Sequence, residues 1–122
     1  MKDSLLRVKS FAFALRTIKL HQYLIEKHRE FTLSRQVLRS GTSIGANIEE
    51  SIHAQSKADF IHKLSIAQKE ACETNYWLRL LKESGILNPN LADSLLSDCE
   101  ELQKMLAATI RTSKVRSLTR KR

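Results

Sequence analysis

Residues Ser56–Pro89 read SKADFIHKLSIAQKEACETNYWLRLLKESGILNP, and this stretch decides the fold. Within it Phe60, Leu64, Ala67, Ala71, Thr74, Leu78 and Leu81 recur at steps of four and three, the spacing that places side chains on one face of an α-helix. Ser56 stands where an N-cap hydroxyl is wanted, and Asp59 holds the capping-box position three residues on. Ser84-Gly85 closes the segment, because glycine is favoured just past a helix C-terminus. Asn88-Pro89 then opens the next helix as a cap followed by proline at the first helical position. A helix bounded at both ends by its own signals leaves little room for a strand reading.

The same spacing extends in both directions. Ala92, Leu95, Cys99, Leu102, Leu106 and Thr109 form the stripe of a following helix. Upstream, a segment from about Leu33 to Ala54 places Val37, Gly41, Ile44, Ile48 and Ile52 near one face. Gly41 and Gly45 are four apart and share a face, which predicts the close approach of another backbone or a local kink. The first segment, from about Ser4 to His28, carries a heptad-like seam of Val8, Phe11, Leu15, Ile18, Gln22 and Ile25. A second row, Leu6, Phe13, Leu20 and Leu24, lies on a neighbouring face, and this extra apolar stripe points to a subunit interface. With 122 residues, three Gly and one Pro, long helices and short connections are expected. Short connections make neighbours antiparallel, so the expected fold is all-α, an antiparallel up-down-up-down four-helix bundle. Residues 1–110 form the bundle domain; residues 111–122 form a basic C-terminal tail whose order the sequence leaves open.

The formal net charge is +8, and Arg111, Lys114, Arg116, Arg120, Lys121 and Arg122 supply six of those eight units, leaving two for the first 110 residues. A near-neutral body with a cationic end suits a polyanion such as nucleic acid, although a solvated tail gives the same pattern. Arg35 and Arg39, one turn apart, together with Arg7 and Lys9, would extend a basic face. The aromatic residues fall on or near apolar stripes, which favours core packing over base stacking, so nucleic acid would be held by its phosphates. No apolar run approaches the ~18 residues of a membrane span and no leader is recognisable, so a cytoplasmic protein is expected. Cys72 and Cys99 form no CxxC pair, and core roles as reduced thiols are expected for both.

The chemistry of a catalyst is not evident. Glu50-Ser-Ile-His53 and Asp59-Phe-Ile-His62 match or approximate the Glu-x-x-His pattern of metal-holding bundles. They flank one turn rather than facing each other from mid-bundle, so no metal or cofactor is expected. There is no nucleophile elbow, and Gly41–Gly45 lacks the lysine and the preceding strand of a phosphate loop. The adjacent pairs Glu49-Glu50 and Glu100-Glu101 point in different directions on a helix and make no acid–base dyad. An enzyme is not expected.

The letters Ser43-Ile-Gly-Ala-Asn-Ile-Glu-Glu50, Ser56-Lys-Ala-Asp-Phe-Ile61 and Leu64-Ser-Ile-Ala-Gln-Lys-Glu70 with Glu73 resemble the four-helix-bundle proteins encoded in intervening sequences of 23S ribosomal RNA genes. The resemblance spans about Phe11 to Leu106. That family is similar to the accessory variability proteins of diversity-generating retroelements. The resemblance implies a homopentamer with a basic surface suited to nucleic acid, and no enzymatic activity. It also matches Asn47, Glu49, Glu50, Lys69, Glu70 and Glu73 to recurrent polar positions, for which bridging between helices or subunits is the favoured role. The expected function is that of a non-catalytic homo-oligomer binding RNA or DNA through Arg35, Arg39, Arg111, Lys114, Arg116, Arg120, Lys121 and Arg122. The alternative is an adaptor that binds a protein partner through its apolar helix faces.

Overall fold

A computed structural model describes residues 2–120 of the chain, with side chains described for residues 5–116. Four helices follow one another: α1 (Lys2–His28), α2 (Thr32–Ile52), α3 (Lys57–Glu83) and α4 (Pro89–Arg120). Each packs on its chain neighbours, and α1 also meets α4, more lightly. The inter-helix partners rise in number along one helix and fall along the next. Arg7 pairs with Glu49 while Thr17 lies against Gly41. Arg39 pairs with Glu73 while Glu50 pairs with Lys63, and Lys82 pairs with Asp93 while Ala71 meets Cys99. Arg16–Asp98 and Lys9–Glu101 close the ring between α1 and α4. This is the register of antiparallel neighbours, and the fold is an all-α four-helix bundle.

The helix ends follow from local chemistry. Ser56 accepts a hydrogen bond from the Asp59 backbone N–H at 3.0 Å, and Asp59 accepts from the Gln55 N–H. The Asn88 side chain accepts from the Asn90 N–H ahead of α4. At the start of α2 the Glu30 carboxylate accepts the Ser34 N–H at 2.8 Å, doing the work of a cap that Phe31 cannot. After α3, Gly85 takes φ +80° and the Leu87 N–H returns to the Leu81 carbonyl. After α1 the same turn is made by Arg29, at φ 51°, with the Glu30 N–H returning to Leu24.

The core stripes of α2, α3 and α4 are those the periodicity predicts, with Val37, Ile44, Ile48, Leu64, Leu78, Leu81, Leu95, Leu102 and Leu106 sealed from solvent. On α1 the two apolar rows stand on opposite faces rather than neighbouring ones, and they exchange roles. Leu6, Phe13, Leu20 and Leu24 form the core, whereas Val8, Phe11, Leu15 and Ile18 are 64%, 68%, 47% and 39% exposed. The glycines of α2 supply the reason. A Cβ on Gly41 would stand 2.5 Å from Thr17 Cγ2, and one on Gly45 would stand 3.5 Å from Ser10. The α1–α2 contact therefore requires small side chains on α1, and Ser10 and Thr17 flank the Leu6–Phe13–Leu20 row. Turning the other row inward would press Val8, Phe11 and Ile18 toward that contact.

Two further expectations are corrected. Only Phe13 among the aromatic residues is fully buried; Phe60 and Trp77 are half-buried, and Phe11, Tyr23, Phe31 and Tyr76 are exposed. Cys99 is a core residue whose thiol donates to the Ala71 carbonyl, but Cys72 is exposed. Cys72 stands one residue beside the buried Leu64–Ala67–Ala71–Thr74 stripe rather than on it, and the Gln103 side chain donates to its sulfur.

The two glycines should respond oppositely to alanine. Gly41→Ala inserts a methyl 3.0 Å from the Thr17 Cβ, which no side-chain rotation moves, and urea melts should show a loss of about 1–2 kcal/mol. Gly45→Ala meets ordinary van der Waals space and should gain up to ~1 kcal/mol from helix propensity. The cysteines should separate as well. Burial pushes the Cys99 thiol up to about 12, and the thiolate is the reactive form. At pH 8 the native protein should take one equivalent of a thiol reagent, at Cys72, and a second only after unfolding in guanidinium.

Candidate nucleic-acid interface

The charges sort into two populations. In the first, cations are held by carboxylates on neighbouring helices. The Arg7 guanidinium donates twice to Glu49, at 3.0 Å each, and these bonds hold the Glu49 carboxyl below its usual range. Arg16 donates to Asp98 at 2.7 Å and to the Ser94 hydroxyl. Lys9 pairs with Glu101, Lys63 with Glu50 and Lys82 with Asp93. Arg39 bridges Glu70 and Glu73, and the Trp77 indole N–H also donates to Glu73 at 3.0 Å. At the next residue of each helix, the Ser40 and Thr74 hydroxyl oxygens meet at 2.8 Å in the buried α2–α3 contact. The α2–α3 pair is thus laced from the Arg39 cluster to the Glu50–Lys63 pair.

The second population has no carboxylate partner among the described residues: Lys19, Lys27, Arg29, Arg35, Lys57, Lys69, Arg79, Lys104, Arg111, Lys114 and Arg116. Arg79 lies over the Tyr76 ring and bonds Asn75. Lys57 lies over the Phe60 ring at 5.7 Å.

These positions decide which predicted contacts come together. Arg111, Lys114 and Arg116 are exposed on the last turns of α4. Arg120 is on the same helix, but its side chain, with Lys121 and Arg122, lies outside the described residues. Thr109 lines a small gap with Ser51, Ile52, Phe60 and Leu64, so this part of α4 sits level with the α2–α3 turn. Arg35 is exposed on the first turns of α2, about 25 Å of helix away from Ile52 at 1.5 Å per residue. The structure does not bring Arg35 and the basic helix end onto one face. Arg39 sits between two carboxylates, surroundings that repel phosphate, and Arg7 and Lys9 are paired.

The matched polar residues divide likewise. Glu49, Glu50, Glu70 and Glu73 each tie two helices. Asn47 instead donates to the Ser43 carbonyl of its own helix, and Lys69 is exposed. Sequence reasoning did not single out Lys57 or Lys104 as contacts. The signal available was the absence of any acidic residue from 102 to 122, which begins well before the tail. Glu50 is paired to Lys63, and His53 and His62 are exposed beside the turn. No group of three or more metal-ligating side chains occurs among the described residues, and no described helix is long and apolar enough to cross a membrane.

The fold defines a class, the small all-α four-helix bundle. Residues 2–108 match the family model of the 23S rRNA-intervening sequence protein, and the chain belongs to that family. It is similar to a protein of unknown function from the S23 ribosomal protein family of Bacteroides thetaiotaomicron VPI-5482, known from a crystal structure. The two are 48% identical over 91% of this chain and 99% of that one, with a TM-score of 0.89. No curated protein matches the chain.

Arg39 offers a check on the division of charges. Arg39→Gln should lower stability by less than about 1 kcal/mol, as for a partly exposed ion pair. It should leave the affinity for duplex RNA unchanged, as read by fluorescence anisotropy.

Proposed function

We propose that the protein is a non-catalytic homo-oligomer that binds RNA or DNA through phosphates without reading sequence. The observation that carries this reading is the segregation of charge. The bundle's own ion pairs absorb cations from α1, α2 and α3, while the acid-free stretch 102–122 leaves Arg111, Lys114 and Arg116 of α4 without carboxylates. Arg120, Lys121 and Arg122 extend the same run in sequence. Helix-borne cations at a C-terminus also sit favourably with the helix dipole. Membership of a family named for 23S rRNA intervening sequences, with a neighbour placed in a ribosomal protein family, supports RNA as the polyanion. A cytoplasmic setting belongs to the same reading.

Assembly is proposed from α1. A bundle helix normally turns polar residues outward, yet the outer face of α1 carries Val8, Phe11, Leu15 and Ile18 in continuous succession. A second copy of the chain covers this stripe, and the family resemblance suggests five copies. The stripe also supports the second reading, an adaptor that docks a different protein there; occupation by its own copies would leave that partner no seat.

Light scattering on a size-exclusion column should give a mass several times that of one chain. Phe11→Asp with Leu15→Asp should reduce it to the single-chain mass while keeping helical circular dichroism. A single-chain mass for the unaltered protein would overturn the oligomer. Anisotropy of labelled duplex RNA and DNA should show binding that weakens steeply with salt, because each phosphate neutralised releases condensed counterions. No binding at low salt would overturn the nucleic-acid reading.

A further inference from the structure

We infer that a nucleic-acid duplex docks on one surface, the α3–α4 face at the end of the bundle where α2 turns into α3. There Lys57 and Lys104 share the phosphate contact with Arg111 and Lys114. The inference rests on the nucleic-acid reading above and says where that reading acts.

Register orders these residues along the α3–α4 face, Lys104 at one end and Lys57 near the last turns of α4 at the other. The Gln103 side chain reaches Cys72 at 3.4 Å across the α3–α4 contact. Farther along, Phe60 of α3 and Thr109 of α4 line one gap. The helices are antiparallel, so the first turn of α3, with Lys57, lies beside α4 beyond Thr109. Ser113, buried to 7% exposure, marks that α4 is still packed there. On α4, Lys104 and Arg111 are seven apart and Arg111 and Lys114 three apart, so they share a helix face.

Charge sets the limits of the surface. Toward the other end, the open groove between α3 and α4 mixes Arg79, Lys82 and Lys104 with Glu83, Asp93, Glu100 and Glu101; carboxylates there repel a phosphate backbone, and Lys104 is the residue at which the groove meets the acid-free part of α4. Past Glu101 α4 has no acidic residue. On the facing part of α3, Asp59 is engaged at the helix start, where it accepts the Gln55 N–H. Glu70 and Glu73 are drawn to the α2 side by Arg39. From Lys104 to Lys114 the cations span about 15 Å of helix axis, enough for several successive phosphates of one strand.

The chemistry selects a duplex over a single strand. Proteins that hold unpaired bases stack them on exposed aromatic rings between the cations. On this surface the nearest ring, Phe60, is half-buried with the Lys57 ammonium above it. What remains is a row of cations suited to a backbone whose bases are already stacked.

The test is a salt series of fluorescence anisotropy on the full-length protein with a 20-base-pair RNA duplex, a DNA duplex of the same length and an unstructured single strand. Lys57→Gln with Lys104→Gln should reduce the slope of log affinity against log salt by about two. Lys57→Arg with Lys104→Arg should preserve it. Lys27→Gln with Arg35→Gln removes the same charge from the opposite end and should leave the slope unchanged. Circular dichroism confirms that each variant keeps its helices. Equal loss from both glutamine pairs would overturn the location while the nucleic-acid reading stands. Tighter binding of the single strand would overturn the choice of duplex. Failure of the unaltered protein to bind any of the three would overturn the reading beneath both.

Discussion

The approach of α1 to α2 at Gly41 governs much of what the bundle presents to solvent. Two helices can come this close only where the side chains between them are small, and α2 contributes none at all at that point. The demand passes to α1, which meets it with Thr17 and, a turn or two away, Ser10. Once those residues are turned toward α2, the rotation of α1 is fixed, and with it the identity of the row that fills the core. The bulky row on the opposite side then has nowhere to go but outward. One steric contact thus selects between two apolar faces of similar hydrophobicity and leaves the larger side chains uncovered.

Electrostatics act on the second level. Ion pairs between exposed side chains contribute little each, and those here do not hold the bundle together. Their effect is distributional. By matching Arg7, Lys9, Arg16, Arg39, Lys63 and Lys82 to carboxylates, they leave the middle of the molecule nearly neutral. The surplus is concentrated where α4 runs out of acidic neighbours. A modest net charge becomes a local one, which is the form that matters for a polyanion.

Most of the fold was legible because its signals are local. Ser56 with Asp59, Gly85, and Asn88 with Pro89 mark boundaries through hydrogen bonds spanning a few residues, and the structure makes those bonds. The stripes of α2, α3 and α4 each offer one apolar face, so periodicity alone orients them. It could not orient α1, whose faces are both apolar, because the deciding contact is with a glycine twenty-four positions or so along the chain. The Arg29 turn is not legible for a related reason: an arginine in left-handed conformation carries no compositional mark. The interface was legible only as charge. Which cations are taken by carboxylates depends on pairs as distant as Lys9 and Glu101, and that accounting separates Arg39 from Arg111 although both are exposed arginines.

The sparse seam between α1 and α4 has a consequence for how the molecule comes apart. The α2–α3 pair is the centre of the packing, whereas α1 and α4 are each anchored chiefly by one neighbour. Partial opening in such an architecture follows the least-packed boundary, and protection against hydrogen exchange grades accordingly. Of these two outer segments α1 is the one with a full apolar row on each of two opposite faces, and opening along the seam would free it. A molecule caught in that opened state could receive the α1 of another copy in place of its own. The seam is where such an opening starts and the 29–31 connection is its hinge, a route to exchange of a helix between chains that a more evenly packed bundle would close off.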